Sequence, residues 1–326
     1  MTRNPAPLAV LALLAGLCGS APAQTAASFP TKPVRIVVPY APGGALDASA
    51  RLVATEMTKI LGQTVLIENR PGGAGTTGAD FVAKAPADGH TLCWCPTGPL
   101  TITPLTDPKV PYQPLKDLVP VSHVINMDNV IMARRDLPAD NLKDLVALAR
   151  SQPAGLTFGT PGAGGTHHLG GEWFRTETGG KLVHVPYKGE NPAIADLLGG
   201  QIDLVFGSAS LAAPLLREGK IKVLGNVGSS RSRLLPEVPT VAQSGYPSYA
   251  WYNFIGLNAP AGTPAPVIDT LSKAVARSLQ DPTLREKFVG MGFEPVGSTP
   301  DQFARFLVKE TATWSRVMKS TGFSRE

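Results

Sequence analysis

The sequence predicts an α/β protein of two lobes, each a largely parallel sheet flanked by helices, with two crossing segments between them. Three observations carry this. Strand-like apolar runs alternate with helix-period runs along most of the 326 residues, as in sheets built from successive strand–helix units. The length exceeds what one hydrophobic core usually organises. Two widely separated glycine-rich turns each follow a β-like run and open onto a helix.

The first turn follows the strand predicted at Val34–Val38 and reads Pro39-Tyr40-Ala41-Pro42-Gly43-Gly44-Ala45-Leu46-Asp47. Asp47 is placed to cap a helix whose Ala50, Val53, Ala54, Met57, Ile60 and Leu61 share one face, and Gly62 ends it. Strands are predicted at 65–68 and 91–95 with a helix at 79–85 between them. A proline-studded stretch at 96–120 is read as irregular. Residues 121–133 are predicted as one crossing strand, after which Asp140 or Asn141 caps a helix at 142–151.

The second turn follows the strand predicted at 156–158 and reads Gly159-Thr160-Pro161-Gly162-Ala163-Gly164-Gly165-Thr166-His167-His168, with a helix after Thr166. Strands at 182–186, 202–206 and 221–224 follow, with helices at 191–198, opened by Asn191-Pro192, and at 211–218. A second crossing is expected at 249–257. Three helices, 264–279, 281–291 and 299–320, are expected to pack back on the first lobe. The division is residues 1–23 as a signal peptide, 24–122 plus 255–326 as the first lobe, and 123–254 as the second.

The N-terminus has the parts of a secretory signal: Arg3, the apolar Leu8–Leu17 and the small-x-small site Ala21-Pro22-Ala23. Leu17 is bulky where a lipoprotein signal ending at Cys18 wants a small residue, so cleavage after Ala23 is expected. The formal charge of +5 becomes +4 without Arg3, the one charge in that segment. No dense Lys/Arg run or aromatic platform marks a nucleic-acid surface. Cys93 and Cys95 flank Trp94 on a strand, where i and i+2 side chains point the same way. Two buried thiols are therefore expected rather than a disulfide, and two thiols fall short of a zinc site.

Gly73-Ala74-Gly75-Thr76-Thr77-Gly78 matches a dinucleotide fingerprint, but Asn69-Arg70-Pro71 separates it from the strand and no acidic residue stands at the required offset. His167-His168 point different ways at a helix start and lack further metal ligands. Ser208 and Ser210 lack a nucleophile elbow and a His–Asp pair. The two glycine turns remain. Each is either a simple strand-to-helix turn or an anion cradle of backbone N–H groups at the positive end of a helix. With Pro186-Tyr187-Lys188-Gly189 and Asp203 at further strand ends, they form a convergent set where open α/β sheets gather ligands.

The segments Pro39–Asp47, Glu68-Asn69-Arg70-Pro71-Gly72, Asp88-Gly89-His90-Thr91-Leu92, Gly159-Thr160-Pro161-Gly162, Val185–Gly189 and Leu235-Pro236-Glu237-Val238-Pro239-Thr240-Val241 resemble, in order from about Phe29 onward, the Bug-type (TctC) family. These are periplasmic solute-binding proteins of tripartite tricarboxylate transporters. The resemblance implies the two-lobe periplasmic-binding-protein fold, a monomer located in the periplasm, and delivery of a small carboxylate to transporter membrane subunits. A dicarboxylate, tricarboxylate, aromatic acid and acidic amino acid all remain open as the ligand.

Carried over by position, Tyr40, Ala41, Pro42, Gly43, Gly44 and Asp47 would face Thr160, Ala163, Gly164, Thr166 and His167 across the ligand. Thr97 would add a hydroxyl, and Tyr187 and Asp203 would border the second-lobe side. Cys93-Trp94-Cys95 departs from the plainer aliphatic residues of relatives. No catalytic residue, metal or cofactor is expected. A signalling partner of a membrane sensor and an exported enzyme stand as alternatives.

Overall fold

The computed structural model describes residues 29–323, so the predicted signal peptide and Cys18 lie outside the described residues. Eleven strands are described, β1 Val34–Val38, β2 Val65–Asn69, β3 Thr91–Pro96, β4 Leu118–Met127, β5 Asn129–Arg134, β6 Leu156–Thr160, β7 Leu182–Pro186, β8 Leu204–Ser208, β9 Ile221–Asn226, β10 Asn253–Pro260 and β11 Phe293–Pro295. The α-helices are α1 Ala45–Leu61, α2 Thr76–Ala83, the short α3 Thr103–Thr106 and α4 Pro114–Asp117, α5 Leu142–Ser151, α6 Thr166–Thr178, α7 Glu190–Leu198, α8 Ala209–Arg217, α9 Ala265–Ser278, α10 Pro282–Gly290 and α11 Pro300–Thr321.

The strands form two sheets, ordered β11-β4-β10-β3-β1-β2 and β7-β6-β8-β5-β9. The strand–helix units pair in parallel, as expected: β1 with β2 and β3, and β6 with β7 and β8. Both sheets are nevertheless mixed rather than largely parallel. β10 runs antiparallel to β3 and β4, and β5 antiparallel to β8 and β9. A strand that brings the chain in from the other sheet has no preceding crossover helix to turn it parallel.

Alternation builds each core. Val34, Ile36 and Val38 of β1 meet Ala50, Val53 and Met57 of α1 on one face, while Val37 faces Ala79 and Val82 of α2 on the other. In the second sheet Phe158 and Phe206 pack with Leu169 and Phe174 of α6. The 3.6-residue spacing of apolar side chains on α1 and α6 is what turns these faces inward.

Several boundaries differ from the sequence reading. The crossing at 121–133 is two strands broken at Asp128, β4 in the first sheet and β5 in the second. Asp128 donates its N–H to Gly292 O and accepts from Ala209 N, so neither group continues a ladder. The 96–120 stretch carries a π-type turn at Gly98–Ile102 running into α3, the short α4 and the start of β4. Gly189, not Asn191, precedes α7. Asn141 caps its helix as expected, and Asp281 and Thr299, read as the first residues of theirs, are caps as well, Thr299 in a full capping box with Gln302.

Two further expectations are corrected. Cys93 and Cys95 are joined by a disulfide, with Cα atoms 5.2 Å apart. Regular strand geometry would hold an i, i+2 pair about 6.6 Å apart, at the long limit of what a bridge spans; the local contraction brings them well inside that limit. The C-terminal helix does not belong to the first core alone. Phe303 and Leu307 pack with Phe254 and Cys95, whereas Trp314, Val317 and Met318 pack with Trp173, Trp251 and Phe158. At 22 residues, about 33 Å, α11 is long enough to lie across both sheets. Gly256 permits the approach on the first side: a Cβ there would stand 2.1 Å from the Phe303 ring.

Candidate ligand-binding site

A cavity of about 500 Å³ opens where the carboxyl ends of β1, β3 and β6 meet the crossing strands β4 and β10. Its first-sheet wall includes Tyr40, Leu46, Ala74, Thr97 and Thr103, with Met127 at the end of β4. The second-sheet wall is Pro161 and Ala163–His167, and Asn253 closes one side at the start of β10. None of the lining side chains is a lysine, arginine, aspartate or glutamate.

The two glycine turns share one backbone shape. Gly43 and Gly164 take φ of 86° and 75°, which favours glycine. Gly44 and Gly165 follow in extended geometry, at φ/ψ of −81°/172° and −85°/174°, as the residues preceding α1 and α6. Neither helix start carries a side-chain cap. The first ladder bonds run from Ala48 N to Gly44 O and from Leu169 N to Gly165 O. The N–H groups of Ala45–Asp47 and Thr166–His168 therefore precede the ladder and are free to meet an acceptor, with the positive end of each helix behind them.

The predicted site residues divide accordingly. Tyr40, Thr97, Ala163, Gly164, Thr166 and His167 line the cavity together. Ala41, Pro42, Gly43 and Gly44 are exposed beside it on the first loop. The N–H groups of Gly43 and Gly164 are already bonded within the chain, to Asp47 Oδ2 and His168 Nδ1. The N–H groups left unbonded at each turn are thus those of the first helical residues, past Gly43 and Gly164.

Asp47 is a support rather than a contact. It also accepts from Arg51 Nε and Asn69 Nδ2, each at 3.0 Å. The Arg51 hydrogen bond leads the causes that hold its carboxyl at about 2. Thr160 is buried, donating to Gly162 O at 2.9 Å and lying 2.7 Å from His184 Nε2, so it shapes the loop from beneath. Thr97 Oγ1 accepts the Phe254 N–H at 2.7 Å, joining β3 to β10.

Asp203 is a correction. It stands at the start of β8, at the far end of the strand from the cavity, where its carboxylate accepts from Arg134 Nε at 3.0 Å and Thr157 N at 2.9 Å. The expectation grouped Asp203 with the carboxyl strand ends, but on the predicted strand 202–206 as on β8, Leu204–Ser208, it lies at the amino end. Tyr187 does follow the carboxyl end of β7, but its hydroxyl turns away to donate to Asp196 at 2.7 Å.

Asn253, Thr103, Ala74 and Met127 are functional candidates that sequence reasoning missed. Asn253 had a signal, an amide immediately before the apolar run Phe254–Leu257. Ala74 comes from the loop with the dinucleotide-like glycines, which is tied to the first turn by Tyr40 Oη donating to Ala74 O at 3.0 Å. Burial pushes that phenol up to about 12. Burial likewise lowers His167 to about 4, leaving its imidazole neutral. Among the described residues no cluster of three metal-ligating side chains exists, and no helix is long and apolar enough to cross a membrane.

Two mixed sheets flanked by helices, with a cavity set between two helix starts, define the two-lobe periplasmic-binding-protein class of solute receptors. The chain belongs to the tripartite tricarboxylate transporter family receptors, the TctC family, whose pattern matches residues 49–323. Protein BugT of Bordetella pertussis is 35% identical over 316 residues, spanning 97% of each chain. Two solved structures from Rhodopseudomonas palustris are each 34% identical. Rpa4515 with adipate has a TM-score of 0.77 over 91% of this chain and 99% of that one. MatC with bound malate has a TM-score of 0.72 over 89% and 99%.

Proposed function

We propose that this receptor captures a small carboxylate between its two lobes, in the periplasm after export, and delivers it unchanged to the membrane subunits of a tripartite tricarboxylate-type transporter. One observation carries the reading: two uncapped helix starts flank a cavity whose lining is neutral. Such a site offers backbone N–H groups and two positive dipole ends to an anion, with no fixed carboxylate to repel it. The Thr103 and Thr166 hydroxyls, His167 and Asn253 add neutral polar contacts, and Tyr40 an aromatic wall. The adipate and malate in the two solved relatives support a dicarboxylate.

The first lobe carries the six-stranded sheet and the second the five-stranded sheet, with the chain crossing at Asp128 and again between Asn226 and Asn253. A ligand touching both walls favours the closed arrangement over the open one. One chain supplies both walls, so a monomer suffices for capture.

The test is a thermal-shift screen of adipate, malate, citrate, benzoate and glutamate, since a ligand that binds only the folded state raises the melting temperature. The compound giving the largest rise is then incubated with the protein, released by denaturation and weighed by mass spectrometry. Recovery of the unaltered acid is expected. No stabilisation by any of them, or accumulation of altered product beyond one equivalent, overturns the reading.

A further inference from the structure

His167 is the second residue of α6 and lines the cavity, yet its ring also touches both crossing strands. Its Nε2 lies 2.9 Å from Asn129 Oδ1, at the first residue of β5, and 3.3 Å from Asn253 Nδ2, at the first residue of β10. Trp251 meets the ring edge-on at 5.7 Å between centroids. Nδ1 has no partner among the described residues. One ring nitrogen is thus offered an acceptor by the second sheet and a donor by the first, and in either neutral tautomer it can satisfy only one of them.

Asn129 cannot resolve the conflict by rotating its amide. Its Nδ2 donates to Met127 O at 2.8 Å, which keeps Oδ1 toward the imidazole. Nor is double protonation the way out, because burial disfavours the charged ring. With Asn253 presenting Nδ2 to the ring, as it does in this structure, the ring must choose. With Nε2 protonated it donates to Asn129; with Nδ1 protonated its Nε2 lone pair accepts from Asn253 and opposes the Asn129 oxygen.

We propose that His167 changes tautomer on ligand capture, exchanging its bond to Asn129 of the second sheet for one to Asn253 of the first. Resting on the carboxylate-receptor reading above, the switch makes an ionised carboxylate oxygen the group His167 recognises. That oxygen can only accept a hydrogen bond, so its contact at Nδ1 requires a proton there. One proton leaves Nε2 to water and another reaches Nδ1 from water, and the ring's charge is unchanged. Asn129 and Asn253 act as positioning residues: they convert occupancy of the cleft into a different pattern of bonds at the two segments about which the lobes move.

The decisive measurement is the long-range ¹H–¹⁵N spectrum of the His167 imidazole in the mature protein. Without ligand, Nε2 is expected to carry the proton. Saturation with adipate or malate is expected to move it to Nδ1. In the ligand-free Asn129→Ala variant, which lacks the acceptor, Nδ1–H is expected from the outset. The two asparagines should then pull affinity in opposite directions, Asn253→Ala weakening binding and Asn129→Ala tightening it, each by up to about tenfold for a single hydrogen bond.

An Nδ1–H tautomer in the ligand-free wild type, or weakening of binding by both substitutions, overturns the switch and leaves a static hydrogen-bonded cluster. If neither dicarboxylate binds, the dicarboxylate reading fails. The switch is still judged by the two ligand-free spectra: it is overturned if Asn129→Ala leaves the proton on Nε2. Melting curves of both variants establish that they are folded.

Discussion

Asp47 and His168 hold equivalent places in the two walls of the cleft. Each accepts the backbone N–H of the glycine four residues before it, Gly43 to Asp47 Oδ2 at 3.0 Å and Gly164 to His168 Nδ1 at 3.0 Å. The equivalence extends one residue back, since Leu46 and His167 both line the cavity. The pairs differ in charge. Asp47 is anchored by Arg51, whereas His168 stacks on His184 at 3.6 Å between centroids.

Asp47 therefore gives a pH-dependent stability. Its folded-state pKa, about 2, lies below the ordinary carboxylate value because Arg51, Gly43 and Asn69 all donate to the ionised form. The stabilisation is complete above about pH 4, the unfolded-state value, and is lost as pH falls through about 2. Asp47→Asn is expected to be less stable than wild type at pH 7 by about 1–3 kcal/mol. Thermal melts at pH 7, 4 and 2.5 should show that deficit shrinking at the lowest pH.

The helix-start cradle is probed at Gly165. It has an ordinary φ of −85° and nothing within 4 Å of an added Cβ, so a side chain fits the fold but stands at the cavity wall. Gly165→Val is expected to cost no more than about 1 kcal/mol of stability, a capping-position effect. Isothermal calorimetry with the best carboxylate should show binding weakened at least about tenfold, or 1.4 kcal/mol. Unchanged affinity would remove the second-sheet helix start from the site.

Asp203 gives the opposite pattern. Removing its carboxylate takes one of two carboxylate partners from Arg134, which keeps Asp136, and leaves two donors on Thr157 without their acceptor, well away from the cleft. Asp203→Ala is expected to lower stability by about 1–3 kcal/mol while leaving the dissociation constant unchanged. Denaturant unfolding and calorimetry on the same preparation separate the two effects.

The Cys93–Cys95 bridge spans a separation of only two residues, so it removes little freedom from the unfolded chain. By loop-closure entropy its contribution is about 1–2 kcal/mol. The Cys93→Ala/Cys95→Ala double variant should melt a few degrees lower and bind its carboxylate as before. Both cysteines are fully buried. Intact-mass measurement should accordingly find the bridge resistant to reductant in the native protein and lost once the chain is denatured.

Much of this architecture could be read from the residues because local periodicity and caps determine it. The helix after Asn141 and the strands at Val34–Val38 and Leu182–Pro186 follow from spacing alone. What eluded reading depends on tertiary pairing. The break at Asp128 is made by backbone bonds to Gly292 and Ala209, both distant in sequence. β11 has three residues and exists only through its pairing with β4. The glycine turns were legible as candidate cradles, yet the N–H groups of Gly43 and Gly164 are taken by Asp47 and His168. Asn253 and Thr103 reach the cavity only because the crossing strand and the turn after β3 converge there, and no local pattern records that.

The division of α11 between two cores has a consequence for how the molecule comes apart. Phe303 and Leu307 belong to one core and Trp314 and Val317 to the other, on a single helix with no interruption between them. Melting either core strips that helix of half its packing and exposes large aromatic surface in the other. The two halves are thereby made thermodynamically interdependent, and neither can be excised as an autonomous folding unit. Scanning calorimetry should record one endotherm whose calorimetric and van't Hoff enthalpies agree. Trp314→Ala, which strips about 3–5 kcal/mol from the second core, should shift that whole endotherm downward rather than split it.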